Sequence, residues 1–208
     1  MKKTLLFSLL IVSAFSIISC GNDKKKEEIK KENSTKNTYS IEPSTTTINF
    51  TAYKTTDKVP VKGQFTKFTI ENTKNANSVK EALDGLKFSI PVSSLFTKDT
   101  IRDGKLKKFF FGTMENTTEI KGTLHFTNET SGTADITMNG ISQVLPITYV
   151  IDGQMASIEG IMNLDNWKAQ AALEALNVVC FDLHKGSDGV SKTWSDVKIE
   201  VVTYLKNN

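Results

Sequence analysis

From Tyr39 onward, apolar and polar residues alternate with a period of two, the pattern of strands that bury one face. Ile48, Phe50 and Ala52 alternate with Asn49, Thr51 and Tyr53. Leu86, Phe88, Ile90 and Val92 hold one phase, as do Ile120, Gly122, Leu124 and Phe126. Ala134, Ile136 and Met138 follow, then Leu145, Ile147, Tyr149 and Ile151. Ala156, Ile158, Gly160, Met162 and Leu164 come next, and Val197, Ile199, Val201 and Leu205 complete the series. Between Val61 and Ile70 the phase slips at Phe65 and Phe68, which predicts a strand carrying a bulge. Asn139-Gly140 and Asp152-Gly153 predict two-residue hairpin turns, because these residues tolerate positive φ.

The pattern thus predicts an all-β fold of eight antiparallel strands. Eight strands with one apolar face suit a small closed barrel, which leaves no edge exposed; a two-sheet sandwich fits the same alternation. An outer-membrane barrel would turn its apolar face toward lipid between aromatic girdles, and is not expected. Two segments predict short helices. Thr100-Ile101-Arg102-Asp103 opens one as a capping box, with Ile101, Leu106 and Phe109 on one face. Asn166 to Asn177 is rich in Ala and Leu, with Asp165 or Asn166 as N-cap and Trp167, Leu173 and Leu176 docked.

The first 38 residues follow other rules. Met1-Lys2-Lys3 precedes an apolar run from Leu5 to Ile18, shorter than the ~20 residues of a comfortable membrane span and sized like a signal-peptide core. It ends in Ile17-Ile18-Ser19-Cys20, which resembles the bacterial lipobox, so residues 1–19 are expected to be a signal peptide and Cys20 a lipidated residue. Gly21 to Thr38 is lysine- and glutamate-rich with almost nothing apolar, and predicts a disordered tether of roughly 25 Å over residues 20–38. Several acyl chains on one cysteine suffice for stable membrane attachment. Gly21 rather than aspartate after the cysteine points to the outer membrane, on its periplasmic or surface side; Lys26-Glu27-Glu28 resembles a surface-export signal of some flavobacterial lipoproteins. The folded domain is expected over residues 39–206.

The formal net charge of +3 is too small to suggest a nucleic-acid partner. With Cys20 lipidated, Cys180 has no cysteine to pair with, and the domain depends on its core.

The ordered set Ile48-Asn49-Phe50, Gly63-Gln64-Phe65, Arg102-Asp103, Leu106, Phe109-Phe110, Gly122-Thr123-Leu124, Asn139-Gly140-Ile141 and Val144-Leu145-Pro146-Ile147 is similar to the YceI family of lipocalin-like barrels. The likeness runs from about Tyr39 to Leu205; the Ala/Leu helix and the stretch Leu183-His184-Lys185-Gly186 to Lys192-Thr193-Trp194 resemble the variant common in Bacteroidetes lipoproteins. Many family members carry a histidine in the first strand, where this chain has Ala52-Tyr53-Lys54, so no role of that histidine carries over. The resemblance implies a barrel that holds an isoprenoid, quinone-like or fatty amphiphile, without catalytic machinery or a metal cofactor.

Phe50, Phe65, Phe88, Leu106, Phe109, Phe110 and Phe126 are the candidate lining of such a lumen; the same residues would equally fill a solid core. Arg102, with Lys105, Lys107 and Lys108, could meet an anionic head group, or Arg102 and Asp103 could pair to fix a turn. Cys180, Asp182 and His184 would share one face of an extended segment, which raises a nucleophile or metal reading. No Gly-x-Ser-x-Gly elbow, paired-histidine zinc motif or phosphate loop accompanies them. The sequence leaves ligand identity, protein partners and oligomeric state open.

Overall fold

The structure is a computed structural model that describes residues 37–208. The expected signal peptide, Cys20 and the tether up to residue 36 lie outside the described residues.

The alternating segments form one antiparallel sheet of eleven strands. They are β1 (Tyr39–Ile41), β2 (Thr47–Lys54), β3 (Val59–Phe65), β4 (Thr69–Glu71), β5 (Lys87–Pro91) and β6 (Leu95–Phe96). β7 (Glu119–Phe126), β8 (Ser131–Met138), β9 (Ile141–Asp152), β10 (Met155–Asn163) and β11 (Asp196–Asn207) follow. The spatial order is β4-β5-β7-β8-β9-β10-β11-β2-β3-β6, with β1 added against β11.

Eleven strands replace the expected eight because two of the eight are broken and β1 is an extra short pairing. The slip between Phe65 and Phe68 is a break rather than a bulge. β3 pairs with β6, whereas its continuation β4 pairs with β5. β5 itself stops at Pro91, which lacks the N–H to continue a ladder, and a 3-10 turn at Val92–Ser94 leads into β6. The two breaks face each other: Thr66 N–H donates to Ser94 O at 3.0 Å, and Ser94 Oγ donates to Lys67 O at 3.0 Å. Because the outermost strands β4 and β6 continue β3 and β5, the sheet curls round on itself.

Register keeps the apolar set inside. Ile158 lies opposite Val201, Ile199 opposite Phe50 and Ile48 opposite Phe65. Asn139 and Gly140 both have positive φ, the type I′ geometry expected of this pair. At the β9–β10 turn only Gly153 has positive φ, and the two loop residues are Gly153 and Gln154, one position beyond the expected Asp152-Gly153.

Among the described residues four short α-helices cover the ends, against two expected: α1 (Val79–Leu83), α2 (Thr100–Lys105), α3 (Gln170–Val179) and α4 (Phe181–His184). α1 follows a Ser-x-x-Glu signal that the strand pattern obscured. Glu81 N–H donates to Ser78 Oγ at 3.2 Å, Asn77 N–H donates to Glu81 Oε2 at 3.2 Å, and Val79, Ala82 and Leu83 are buried.

α2 begins one residue earlier than expected. Asp99, not Thr100, is the N-cap, accepting from the N–H groups of Ile101 and Arg102 at 3.0 Å each. α2 runs into a π-helical turn at Leu106–Phe110. The extra residue per turn shifts the facing side chains, so Phe110 is buried while Ile101 is 73% exposed, and the expected Ile101–Leu106–Phe109 face does not form.

The second expected helix is split. Asn163 caps a 3-10 turn at Leu164–Trp167, Lys168 takes the left-handed conformation, and α3 starts at Gln170. Trp167 is 0% exposed and donates from Nε1 to Ile136 O at 3.0 Å. Asn139 clamps this hinge to the barrel: its Nδ2 donates to Trp167 O at 2.8 Å while its Oδ1 accepts from Glu115 N–H at 2.7 Å.

Two glycines set how closely the barrel wall can approach its aromatic filling. Gly63 lies opposite Phe50, and Gly122 opposite Phe88. A Cβ at Gly63 would lie 2.3 Å from Phe50 Cζ; one at Gly122 would lie 2.4 Å from both Phe88 Cζ and the backbone oxygen of Asp135. A ring tip can swing away, but a ladder carbonyl cannot. Gly122→Ala is therefore expected to lower stability by about 1–3 kcal/mol, and Gly63→Ala by clearly less. Urea midpoints of the two variants compare them directly; equal midpoints would contradict this reading of the wall.

Candidate ligand-binding lumen

Three adjoining chambers run through the interior. A floor chamber of about 150 Å³ is bounded by Ile48, Leu83, Phe88, Ile136 and Ile147. A middle chamber of about 100 Å³ is bounded by Phe50, Phe110, Phe111, Leu164 and Trp194. Phe65, Ile120, Met162 and Ile199 line both and form the waist between them. A mouth chamber of about 190 Å³ shares Phe50, Ala52, Leu106, Leu176 and Thr193 with the middle one.

α1 and β1 lie against the floor end; α2, the π turn, α3 and α4 lie round the mouth. The hydroxyls among the floor side chains, Thr46 and Thr203, bond each other at 2.7 Å, so neither is left unpaired on the inner face.

Of the residues expected to line a lumen, Phe50, Phe65, Phe88, Leu106 and Phe110 do so. Phe109 does not, because the π turn carries Phe110 inward in its place. Phe126 does not either: its ring packs perpendicular to Tyr149 at 4.5 Å, in solid core. Phe111 is a lining residue that the expected set missed, as are the waist residues Ile120, Met162 and Ile199. Phe111 is buried, stands edge-on to Phe110 at 4.9 Å, and reaches Phe65 at 6.5 Å. Three consecutive phenylalanines carry no period of their own, so only the helix geometry selects which ones face inward.

The polar candidates separate. Arg102 and Asp103 are not a pair. Arg102 Nη2 lies 3.4 Å from Asp99 Oδ2, at the rim of the mouth. Asp103 is buried and accepts from Thr97 N–H at 2.8 Å and Thr97 Oγ1 at 2.6 Å, which ties α2 to the residue just after β6. The N–H of Arg102, more than its guanidinium, holds the Asp99 carboxyl below the usual aspartate value. Lys105 reaches the mouth and donates to Val179 O at 2.9 Å, at the carbonyl end of α3. Lys107 and Lys108 do not line the mouth chamber.

Cys180, Asp182 and His184 lie on a helical turn, not an extended segment, so alternate residues diverge. Cys180 and His184 both line the mouth chamber, while Asp182 is exposed elsewhere. Among the described residues no cluster of three or more His, Cys, Asp and Glu side chains could hold a metal ion. Ala52, Tyr53 and Lys54 also border the mouth, so the stretch lacking the first-strand histidine faces the same chamber as His184.

A broader depression of about 610 Å³ lies on the outer face of the sheet, among residues such as Glu71, Lys87, Ser89, Lys121 and Asp135. Its polar side chains are the outward alternates of their strands, solvated as such positions are.

The YceI-like domain profile matches residues 39–204, most of the chain. The chain belongs to the YceI-like family. No curated protein matches its sequence significantly. A polyisoprenoid-binding domain from Saccharophagus degradans, implicated in plant cell wall breakdown, shares the fold at a TM-score of 0.59 and 13% identity, covering 82% of this chain and 98% of that one. Burkholderia cenocepacia BcnA superposes at 0.53 with 12% identity, covering 80% and 99%. Both share the fold of this YceI-like chain, and at such identities the likeness concerns fold alone.

His184 gives the mouth a pH signature. Burial first, then the positive charges of Lys54 and Lys105, push its imidazole down from 6.5 to about 4. Between these values the unfolded chain binds the proton and the fold resists it, so stability falls as pH drops from about 6.5 toward about 4, then levels off. Wild type should thus lose more stability than His184→Gln between pH 7 and 4.5, read from urea midpoints. An NMR titration showing His184 protonated at pH 6 would refute this.

Proposed function

We propose that this protein is a non-catalytic lipoprotein, anchored to the outer membrane through acylated Cys20, whose barrel holds or carries one isoprenoid-like amphiphile in the cell envelope. The observation that supports this most directly is the row of three adjoining chambers, lined mainly by apolar side chains from floor to waist and with polar and charged side chains concentrated at the mouth. Together they reach the ~300–1,000 Å³ range of small-molecule sites, elongated as a single chain requires. Burial yields about 0.8 kcal/mol per methylene, so a dry apolar lumen binds a prenyl chain without specific polar contacts. Family membership, and the polyisoprenoid-binding domain that shares the fold, support the same ligand class.

Lipid extraction and mass spectrometry of the full chain purified from bacterial membranes test the reading, with a polyprenyl or quinone-like mass as the expected result. A chain that stays free of lipid, including after incubation with such lipids, would replace the carrier with an interaction module whose core is filled. Met162→Trp, which closes the waist, should weaken long prenyl ligands at least tenfold while leaving short ones nearly unchanged. That follows because roughly every two buried carbons account for a factor of ten in affinity.

A further inference from the structure

The mouth chamber is lined by His184, whose orientation and tautomer are set by its neighbours and which keeps an acceptor lone pair. Thr193 Oγ1 donates its single proton to Asn177 Oδ1 at 3.0 Å, and Ser191 Oγ donates to the same oxygen at 3.1 Å. Thr193 can then only accept from His184 Nδ1, 2.7 Å away, which places the imidazole proton on Nδ1 and leaves a lone pair on Nε2. Among the described residues Nε2 has no protein hydrogen-bond partner, and the ring lines the mouth chamber.

The charged groups of this chamber are Lys54 from β2 and Asp99, Arg102 and Lys105 from the α2 segment. None is a free cation waiting for an anion. Lys54 Nζ donates to Leu183 O at 2.9 Å, Lys105 Nζ to Val179 O at 2.9 Å, and Arg102 is paired with Asp99. Each ammonium still has protons to give, since each uses one of three. A neutral imidazole lone pair beside them repels a fully ionised phosphate or carboxylate oxygen, and it needs a donor. A hydroxyl satisfies both partners at once.

We infer that the mouth is a head-group site for a hydroxyl-terminated lipid, whose O–H donates to His184 Nε2 and whose oxygen accepts from Lys54 or Lys105. The inference rests on the lumen reading, because the hydroxyl sits where a chain filling the middle chamber would emerge. Asn177, Ser191 and Thr193 act through His184 as positioning residues.

The experiment titrates the full chain with one prenyl chain of fixed length in four forms: free alcohol, methyl ether, hydrocarbon without a head group, and monophosphate. Wild type should prefer the alcohol to the ether by roughly three- to tenfold, the range of one hydrogen bond. His184→Leu should erase that preference while keeping hydrocarbon affinity, which also shows that the variant is folded. His184→Gln, which retains an acceptor, should restore part of it. If none of the four forms binds, the lumen reading itself fails. If all bind wild type and His184→Leu alike, the head-group site is wrong and the lumen stands. If the monophosphate binds tightest, and Lys54→Gln but not His184→Leu abolishes this, the mouth is an anion site.

Discussion

A sheet with one apolar face must bury it against something; this one buries it against itself by curling, and the barrel closes where two broken strands meet. The hydrogen bonds from Thr66 to Ser94 and from Ser94 to Lys67 bridge the two breaks. On either side of them the short pairings β3–β6 and β4–β5 take over. Without this junction, β3 and β5 would leave open ladders and the chambers would lie open to water. The seam is also short of regular ladder bonds, and the helices at the two ends lie over the interior it encloses.

Interior volume follows from a balance between rings and missing side chains. Phe50 and Phe88 fold over Gly63 and Gly122 on the opposing strands. Each ring takes the space that a Cβ would have used, which draws it toward the wall. Phe110 and Phe111 close the middle from the helical side in edge-on contact. The space left is smallest in the middle chamber, about 100 Å³, and larger at the floor and the mouth, about 150 and 190 Å³.

Polarity concentrates at one end for a related reason. The mouth is where helix ends meet the sheet, so unpaired carbonyls such as Val179 O and Leu183 O attract lysines. Burial first, and those lysines second, keep His184 neutral, and the Asn177–Thr193 relay decides which nitrogen carries the proton. The imidazole becomes an acceptor in a cationic setting, an arrangement that no one of these residues implies alone.

Period-two alternation was enough to identify an all-β antiparallel fold and most of its inward set, because a strand shows its two faces directly in its spacing, while the choice of barrel over sandwich rested on the family resemblance. The type I′ turn at Asn139-Gly140 was equally legible, since few residue pairs accept two positive φ values. Tertiary structure decided what depends on partners distant in the chain. It broke the strand at Thr66–Phe68, shifted the inward position from Phe109 to Phe110 through a π turn, and placed Phe126 against Tyr149 outside the lumen. It also separated Asp182 from Cys180 and His184 and brought His184 to Lys54 and Lys105, because a single helical turn changes which residues share a face.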